Sequence, residues 1–250
     1  MRIARGIRPR YRMATLKRGA ADADLSHYKS RSTTRRRNEK NRMSERRGLW
    51  SPLSNPIVYE LFHHLIGARR WLQGFTNEVI RPRSGDRIFD VGCGPGALLR
   101  CLPETTSYVG FDRNETYIER AREMHGARGE FICDDVGNFA GYALAPADIA
   151  VAIGILHHLS DDLASAILRA TANALKPNGR LITVDPCFHP EQSAIQRFVV
   201  SNDRGMHVRP YDRYVELAAA VFPKPKAAFQ RGHVPFPYSI CIIEAARKPT

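Results

Sequence analysis

Between Arg87 and Val184, five short apolar runs alternate with stretches of helical period, and this alternation restricts the fold more than any other feature of the chain. The runs are Arg87 to Val91, Ser107 to Phe111, Glu130 to Cys133, Ala147 to Ile153 and Arg180 to Val184. Between them lie the helical stretches Ala97 to Cys101, Asn114 to Met124 and Asp161 to Leu175, the last closed by Lys176-Pro177-Asn178-Gly179. Repeats of this kind need right-handed crossovers, which set the strands parallel and put helices on both faces of the sheet. The expectation is an α/β, doubly wound domain. Upstream, Ser54-Asn55-Pro56 caps a helix carrying Ile57, Val58, Leu61, Phe62, Leu65 and Ile66, and a second helix covers about Trp71 to Ile80. Downstream, Glu191 to Ser201 and Tyr211 to Val221 read as helices. Lys226 to His233 and Tyr238 to Glu244 read as an antiparallel strand pair joined by Pro235-Phe236-Pro237.

The formal charge of +13 would point to an acidic partner if it were spread over the chain, but it is concentrated. Residues 1–42 hold 14 Lys and Arg against 3 Asp and Glu, and the remainder is close to neutral. This segment has few large apolar residues and no sustained period, so it is expected to be a basic, disordered tail. Residues 43–250 are then the folded domain. Met43 opens a stretch running straight into the first helix, which makes it a candidate start. A tail of this composition could also serve as an electrostatic arm for nucleic acid. The five cysteines are odd in number and lack a C-x-x-C pair, no apolar run reaches membrane-spanning length, and the expected setting is cytoplasmic.

Asp90-Val91-Gly92-Cys93-Gly94-Pro95-Gly96 leaves the first strand at its carboxyl end and opens a helix, the place where open α/β sheets bind ligands. Glycines let the backbone approach a bulky ligand closely, and the helix N-terminus offers free N–H groups. The third glycine comes one residue too early for the dinucleotide fingerprint G-x-G-x-x-G, which weakens the reading as a nicotinamide-dependent oxidoreductase.

The spacing acid-x-G-x-G-x-G closely resembles the first motif of the class I S-adenosylmethionine-dependent methyltransferases. Four further blocks resemble that family in the right order. Asp112 ends the second strand, where the family binds the ribose hydroxyls. Asp135, in Phe131-Ile132-Cys133-Asp134-Asp135-Val136, stands where a family Asp meets the adenine amino group. Gly154-Ile155-Leu156-His157-His158-Leu159 is much like the LHHL of small-molecule members of the quinone-biosynthesis type, and Leu175-Lys176-Pro177-Asn178-Gly179-Arg180-Leu181 is similar to their turn into strand five. The resemblance implies a Rossmann-like, mostly parallel seven-stranded sheet with an antiparallel last strand. It also implies S-adenosyl-L-methionine as cofactor and a small-molecule acceptor. The implied cofactor residues are Asp90, Gly92, Gly94, Gly96, Asp112, Arg113, Asp134, Asp135, Val136 and Ile153, and no metal is required. Asn202-Asp203-Arg204-Gly205-Met206-His207-Val208-Arg209 resembles a bacterial group of the family more loosely.

His157 and His158 follow the fourth strand and are candidates for a base, since histidine titrates in the useful range; the alternative is that they pack or cap the next helix. His189 and His207 are weaker candidates. Cys187 reads as a buried, inert thiol, because the proline-cysteine partner motif of cytosine methylation is missing after strand four. The asparagine-proline-proline-aromatic motif of base amino methylation is also absent from Ile153 to Leu159, which disfavours a nucleic-acid acceptor. A non-catalytic binding module of the same fold is the remaining alternative. Neither the atom methylated nor the oligomeric state is legible.

Overall fold

The structure, a computed structural model, describes residues 14–15, 68–142, 144–231 and 237–249. The expected helix beginning near Asn55 lies outside the described residues. The strands are β1 (Ala14–Thr15), β2 (Arg87–Val91), β3 (Ser107–Asp112), β4 (Glu130–Cys133), β5 (Ala147–Ile153), β6 (Leu175–Phe188), β7 (Arg209–Pro210), β8 (Lys226–Arg231) and β9 (Ser239–Ala246). The α-helices are α1 (Ala68–Phe75), α2 (Glu115–His125), α3 (Asp161–Ala174), α4 (Ala194–Ser201) and α5 (Tyr211–Ala219).

The main sheet runs β1-β8-β9-β6-β5-β2-β3-β4, with β7 pairing β6 to one side. Strands β4, β3, β2, β5 and β6 run parallel to one another, while β9 is antiparallel to both β6 and β8. Setting aside the two-residue strands β1 and β7, this is a seven-stranded, mostly parallel sheet whose last strand runs against the rest, as expected. Strand order reverses between β2 and β5, and the carboxyl ends of the strands beside such a switch point are where open α/β sheets place a ligand crevice.

Why these strands are apolar throughout is visible in their packing. Along β2, Ile88 belongs to one core cluster and Phe89 to the other; Tyr108 and Val109 divide in the same way on β3, Ile149 and Ala150 on β5, and Leu181 and Ile182 on β6. Alternate side chains go to opposite faces and helices cover both, so the inner positions of β2, β3 and β5 are buried on either side. Helix α3 shows the matching helical logic. Ser160 caps it by accepting from the Leu163 amide, and Asp161 and Asp162 sit at the positive end of the helix dipole. Leu163, Ala164, Ile167, Leu168 and Thr171 form one buried stripe.

Several expected boundaries move. Ala97–Cys101 is a 3₁₀ rather than an α-helical turn, because Leu102 precedes Pro103 and adopts an extended conformation that stops the helix after five residues. Trp71 to Ile80 divides into α1 and a π-helical turn, Thr76–Ile80, ended by a left-handed Arg81 whose N–H bonds Thr76 O. Strand β6 begins at Leu175, directly after α3, and accommodates its turn with Asn178 at φ 63°. Within the segment expected to be a basic tail, Ala14 and Thr15 pair antiparallel with Ala227 and Lys226. The open edge of β8 offers unpaired main-chain groups that recruit a strand regardless of composition. The rest of 1–42 lies outside the described residues. No described helix is long and apolar enough to cross a membrane.

Candidate functional site: a glycine bend facing a histidine turn

The chain leaves β2 through three left-handed glycines, Gly92 (φ 80°), Gly94 (φ 53°) and Gly96 (φ 76°). Their surroundings differ. A methyl group on Gly92 would lie 2.8 Å from Ile155 Cδ1, and one on Gly96 would lie 3.0 Å from His125 and Phe131, so these two are required by packing. A methyl group on Gly94 would meet nothing within 4 Å. Gly94 therefore faces open space at the tip of the bend; its left-handed backbone favours glycine, and the bare tip leaves room for a ligand to approach closely. The bend is pinned to β3: the Gly92 and Cys93 amides donate to Phe111 O at 2.8 and 2.9 Å, and the Gly94 amide donates to Asp112 Oδ2 at 2.9 Å. The other Asp112 oxygen accepts the Asn114 amide at 2.9 Å. Asp112 is thus oriented by the backbone at both carboxylate oxygens.

Asp90 is placed differently. It is 4% exposed and lies under the bend, with Oδ2 accepting the Tyr108 hydroxyl at 2.7 Å. Burial pushes its carboxyl up to about 7, against the Tyr108 bond and with the help of the Asp112 charge. The carboxylate of Asp134 is occupied by the Tyr142 hydroxyl at 2.6 Å, Asn138 Nδ2 at 2.8 Å and the Asp135 amide at 2.7 Å. Of these, the Tyr142 bond does most to hold it below the usual carboxylate range. Asp135 is half-buried beside it, and Val136 is fully buried. Arg113 continues β3 past Asp112, and Ile153 ends β5. All of the expected cofactor residues thus gather at the carboxyl ends of β2, β3, β4 and β5.

Across the crevice, a 3₁₀ turn, Leu156–His158, follows β5. Both histidines are 6% exposed, with ring centroids 4.1 Å apart. His157 Nδ1 lies 2.9 Å from Asp185 Oδ1, and Nε2 lies 3.2 Å from Asp203 Oδ1. Carboxylates only accept, so an imidazole bonded to one through each nitrogen is the doubly protonated cation. Burial opposes that charge, but the two carboxylates prevail and raise His157 to about 9. They are not equivalent. Asp185 is buried, its Oδ2 has no partner among the described residues, and burial pushes it up. Asp203 is penalised by burial too, yet the His157 bond and charge, the Tyr238 hydroxyl and the Gly205 amide hold it well below the usual range. Asp203 is accordingly the counter-ion. His158 is depressed to about 3 by burial and by the His157 charge, and its Nδ1 has no partner among the described residues.

The segment 202–209 acts as a strap over this turn. Besides the Asp203 contact, the His207 amide donates to His157 O at 2.9 Å, and a methyl group on Gly205 would lie 2.1 Å from His157 Cδ2. Buried Arg209 donates to Leu156 O at 2.7 Å and also to Leu159 O and Asp161. Asp185, Asp203, Gly205, Arg209 and Tyr238 were not singled out individually from the sequence. The only advance signal was the unusual run Asn202–Arg209 in an otherwise loosely patterned region. His189 stacks on Phe229 at 3.8 Å, and Cys187 is fully buried, with burial raising its thiol far above the ordinary range.

Strand order and glycine bend make the fold similar to that of class I methyltransferases, a likeness of fold. Residues 88–179 match the family model described as "Methyltransferase domain". Among curated relatives, the ubiquinone biosynthesis O-methyltransferase of Idiomarina loihiensis is 32% identical over 102 residues, covering 39% of this chain and 41% of its own. The 27-O-demethylrifamycin SV methyltransferase of Amycolatopsis mediterranei is 28% identical over 121 residues, covering 46% and 43%. The chain spans about two fifths of the length of these relatives. Among solved structures, the mitomycin 7-O-methyltransferase MmcR superposes with a TM-score of 0.56 at 23% identity, over 79% of this chain and 60% of its own. The [4+2]-cyclase SpnF superposes with a TM-score of 0.57 at 17% identity, over 73% and 82%. A cyclase on the same fold shows that the fold alone does not assign a reaction.

Proposed function

We propose that the chain binds S-adenosylmethionine at the glycine bend and transfers its methyl group to a small-molecule acceptor, with 43–250 as the catalytic unit. The observation that carries this reading is the Gly94–Asp112 contact. It joins an unobstructed glycine tip to a carboxylate that the backbone orients, which fits an adenosine ribose lying against a bare stretch of main chain. Asp135, on the next strand end, is read as the adenine partner. Val136 and Ile153 supply apolar contact, and Arg113 flanks the ribose position. Asp90 acts from beneath, holding β2 to β3 through Tyr108. Asp134 shapes the turn through Tyr142 and Asn138 rather than meeting the ligand.

When bound, the sulfonium supplies a methyl carbon open to direct displacement, the C–S electron pair remaining on sulfur. The protein's part is to position the acceptor and exclude water. His157 is unsuited to be the base, because both ring nitrogens are committed to carboxylates; its part is to hold the turn. His158 is neutral at physiological pH and is the remaining candidate in this turn for the base that accepts the acceptor's proton. The names of the curated relatives favour oxygen as the atom methylated. Calorimetric titration with S-adenosylmethionine and with NAD, followed by mass-spectrometric detection of singly methylated products in metabolite pools, tests the reading. Binding of the first and not the second is expected. Binding of neither would remove the assignment, and binding without any methylated product would leave the fold carrying another reaction.

A further inference from the structure

The strap that locks the histidine turn also carries an arginine with no obvious structural purpose. From residue 180 on, each of the other described arginines has a partner. Arg180, Arg209, Arg213 and Arg231 meet carboxylates, Arg247 meets backbone carbonyls, and Arg197 lies over the Phe188 ring. Arg204 is half-buried, yet no hydrogen bond, ion pair or ring contact joins it to any described residue. A guanidinium keeps its charge, and one with no partner among the described residues has its planar fork of donors open to an anion. The nearest carboxylate in the chain, Asp203, is already committed to His157, the Tyr238 hydroxyl and the Gly205 amide.

The position of Arg204 is set by its neighbours. Asp203 is hydrogen-bonded to His157 Nε2, and Gly205 packs so closely on His157 that no side chain fits between them. Arg204 is therefore held beside the turn after β5, on the acceptor side of the crevice, and its charge is felt at His158 together with those of His157 and Arg113. His157 is matched by its own two carboxylates, which leaves the Arg204 guanidinium as positive charge beside the turn that an anion could meet.

We infer that Arg204 binds an oxyanion substituent, a carboxylate or a phosphate, on the methyl acceptor and so selects acceptors that carry one. The inference rests on the reading of this crevice as a methyl-transfer site. A planar guanidinium pairs two-point with either group, and its pairing orients the acceptor as well as retaining it.

The test uses the full chain saturated with S-adenosylhomocysteine and titrated with catechol, protocatechuate and phenyl phosphate. For the unaltered protein, protocatechuate or phenyl phosphate should bind on the order of 10- to 100-fold more tightly than catechol, and the better of the two identifies the oxyanion. Arg204→Gln should abolish that preference and Arg204→Lys should keep part of it, while S-adenosylhomocysteine affinity stays the same in both. Equal binding of the three probes by the unaltered protein, or a preference that survives Arg204→Gln, overturns the inference while leaving the proposed function standing. Failure to bind S-adenosylhomocysteine at all overturns both.

Discussion

The two walls of the crevice are built on different principles. The glycine wall is made of backbone: three left-handed residues, a short register of amides donated to β3, and one carboxylate that the backbone itself orients. All of its parts lie within about two dozen residues of one another, and its tip is open. The histidine wall is made of side chains. His157, Asp185, Asp203 and Tyr238 come from four separate stretches and meet in a buried ionic cluster with almost no free space. The contrast separates two tasks. A common cofactor can be held by main chain, which hardly depends on side-chain identity, whereas an acceptor pocket must be specific and so depends on side chains that only the fold assembles. Buried charge is costly unless every partner is present, so the histidine wall should fail sharply when one part is lost, and the glycine wall by degrees.

The sharpest contrast should come from two glycines. Gly205→Ala places a methyl group 2.1 Å from His157 Cδ2 and 2.6 Å from His157 O, and urea denaturation should show a loss of about 3 kcal/mol or more. A loss below about 1 kcal/mol would mean that the strap is not locked on the turn.

Next in size is the pH dependence of His157. Its folded value of about 9 lies above the ordinary 6.5, so its stabilising contribution is complete below 6.5 and is lost as pH rises from there to 9. Across that window the unaltered protein should lose up to about 3 kcal/mol that His157→Gln, already destabilised, does not lose. Parallel stability curves for the two proteins would show that the cluster is not ionic.

On the opposite wall, Asp112→Ala should weaken S-adenosylmethionine binding by about 10- to 100-fold in calorimetry, the range for losing hydrogen bonds to a charged group, with a much smaller change in the denaturation midpoint. Unchanged affinity would remove Asp112 from the site. The smallest effect on folding is expected from Gly94→Ala. Its new methyl group meets nothing, and only the left-handed φ of 53° is penalised, by about 1 kcal/mol. Its cofactor affinity should nevertheless fall, and if it does not, the open space beyond Gly94 is not where the cofactor lies.

Legibility followed the same division. The strands β2 to β5 were readable because apolar runs buried on both faces have no competing interpretation, and the order of the bend, Asp112 and Asp135 along the chain repeats their order across the sheet. The role of Asp134 was not readable: a pair of adjacent aspartates looks alike in sequence, and the Tyr142 and Asn138 contacts that set Asp134 apart depend on how the chain turns after β4. The same holds for the two histidines. Adjacent in sequence, they acquire opposite characters, His157 raised to about 9 and His158 lowered to about 3, because the carboxylates bracket one ring and leave the other with a neighbouring cation.

By itself the sequence determined the parallel strands, the antiparallel pairing of the final two strands and the position of the glycine bend, since hydrophobic period, glycine spacing and strand-end carboxylates are local properties that survive any arrangement of the rest. Only the tertiary structure decided that Asp90 works from beneath the bend, that Ala14 and Thr15 join the sheet edge, and that residues 202–209 clamp the histidine turn. Those outcomes depend on which charges and open edges meet after folding. Burial then fixes how strongly they act, and no local pattern encodes that.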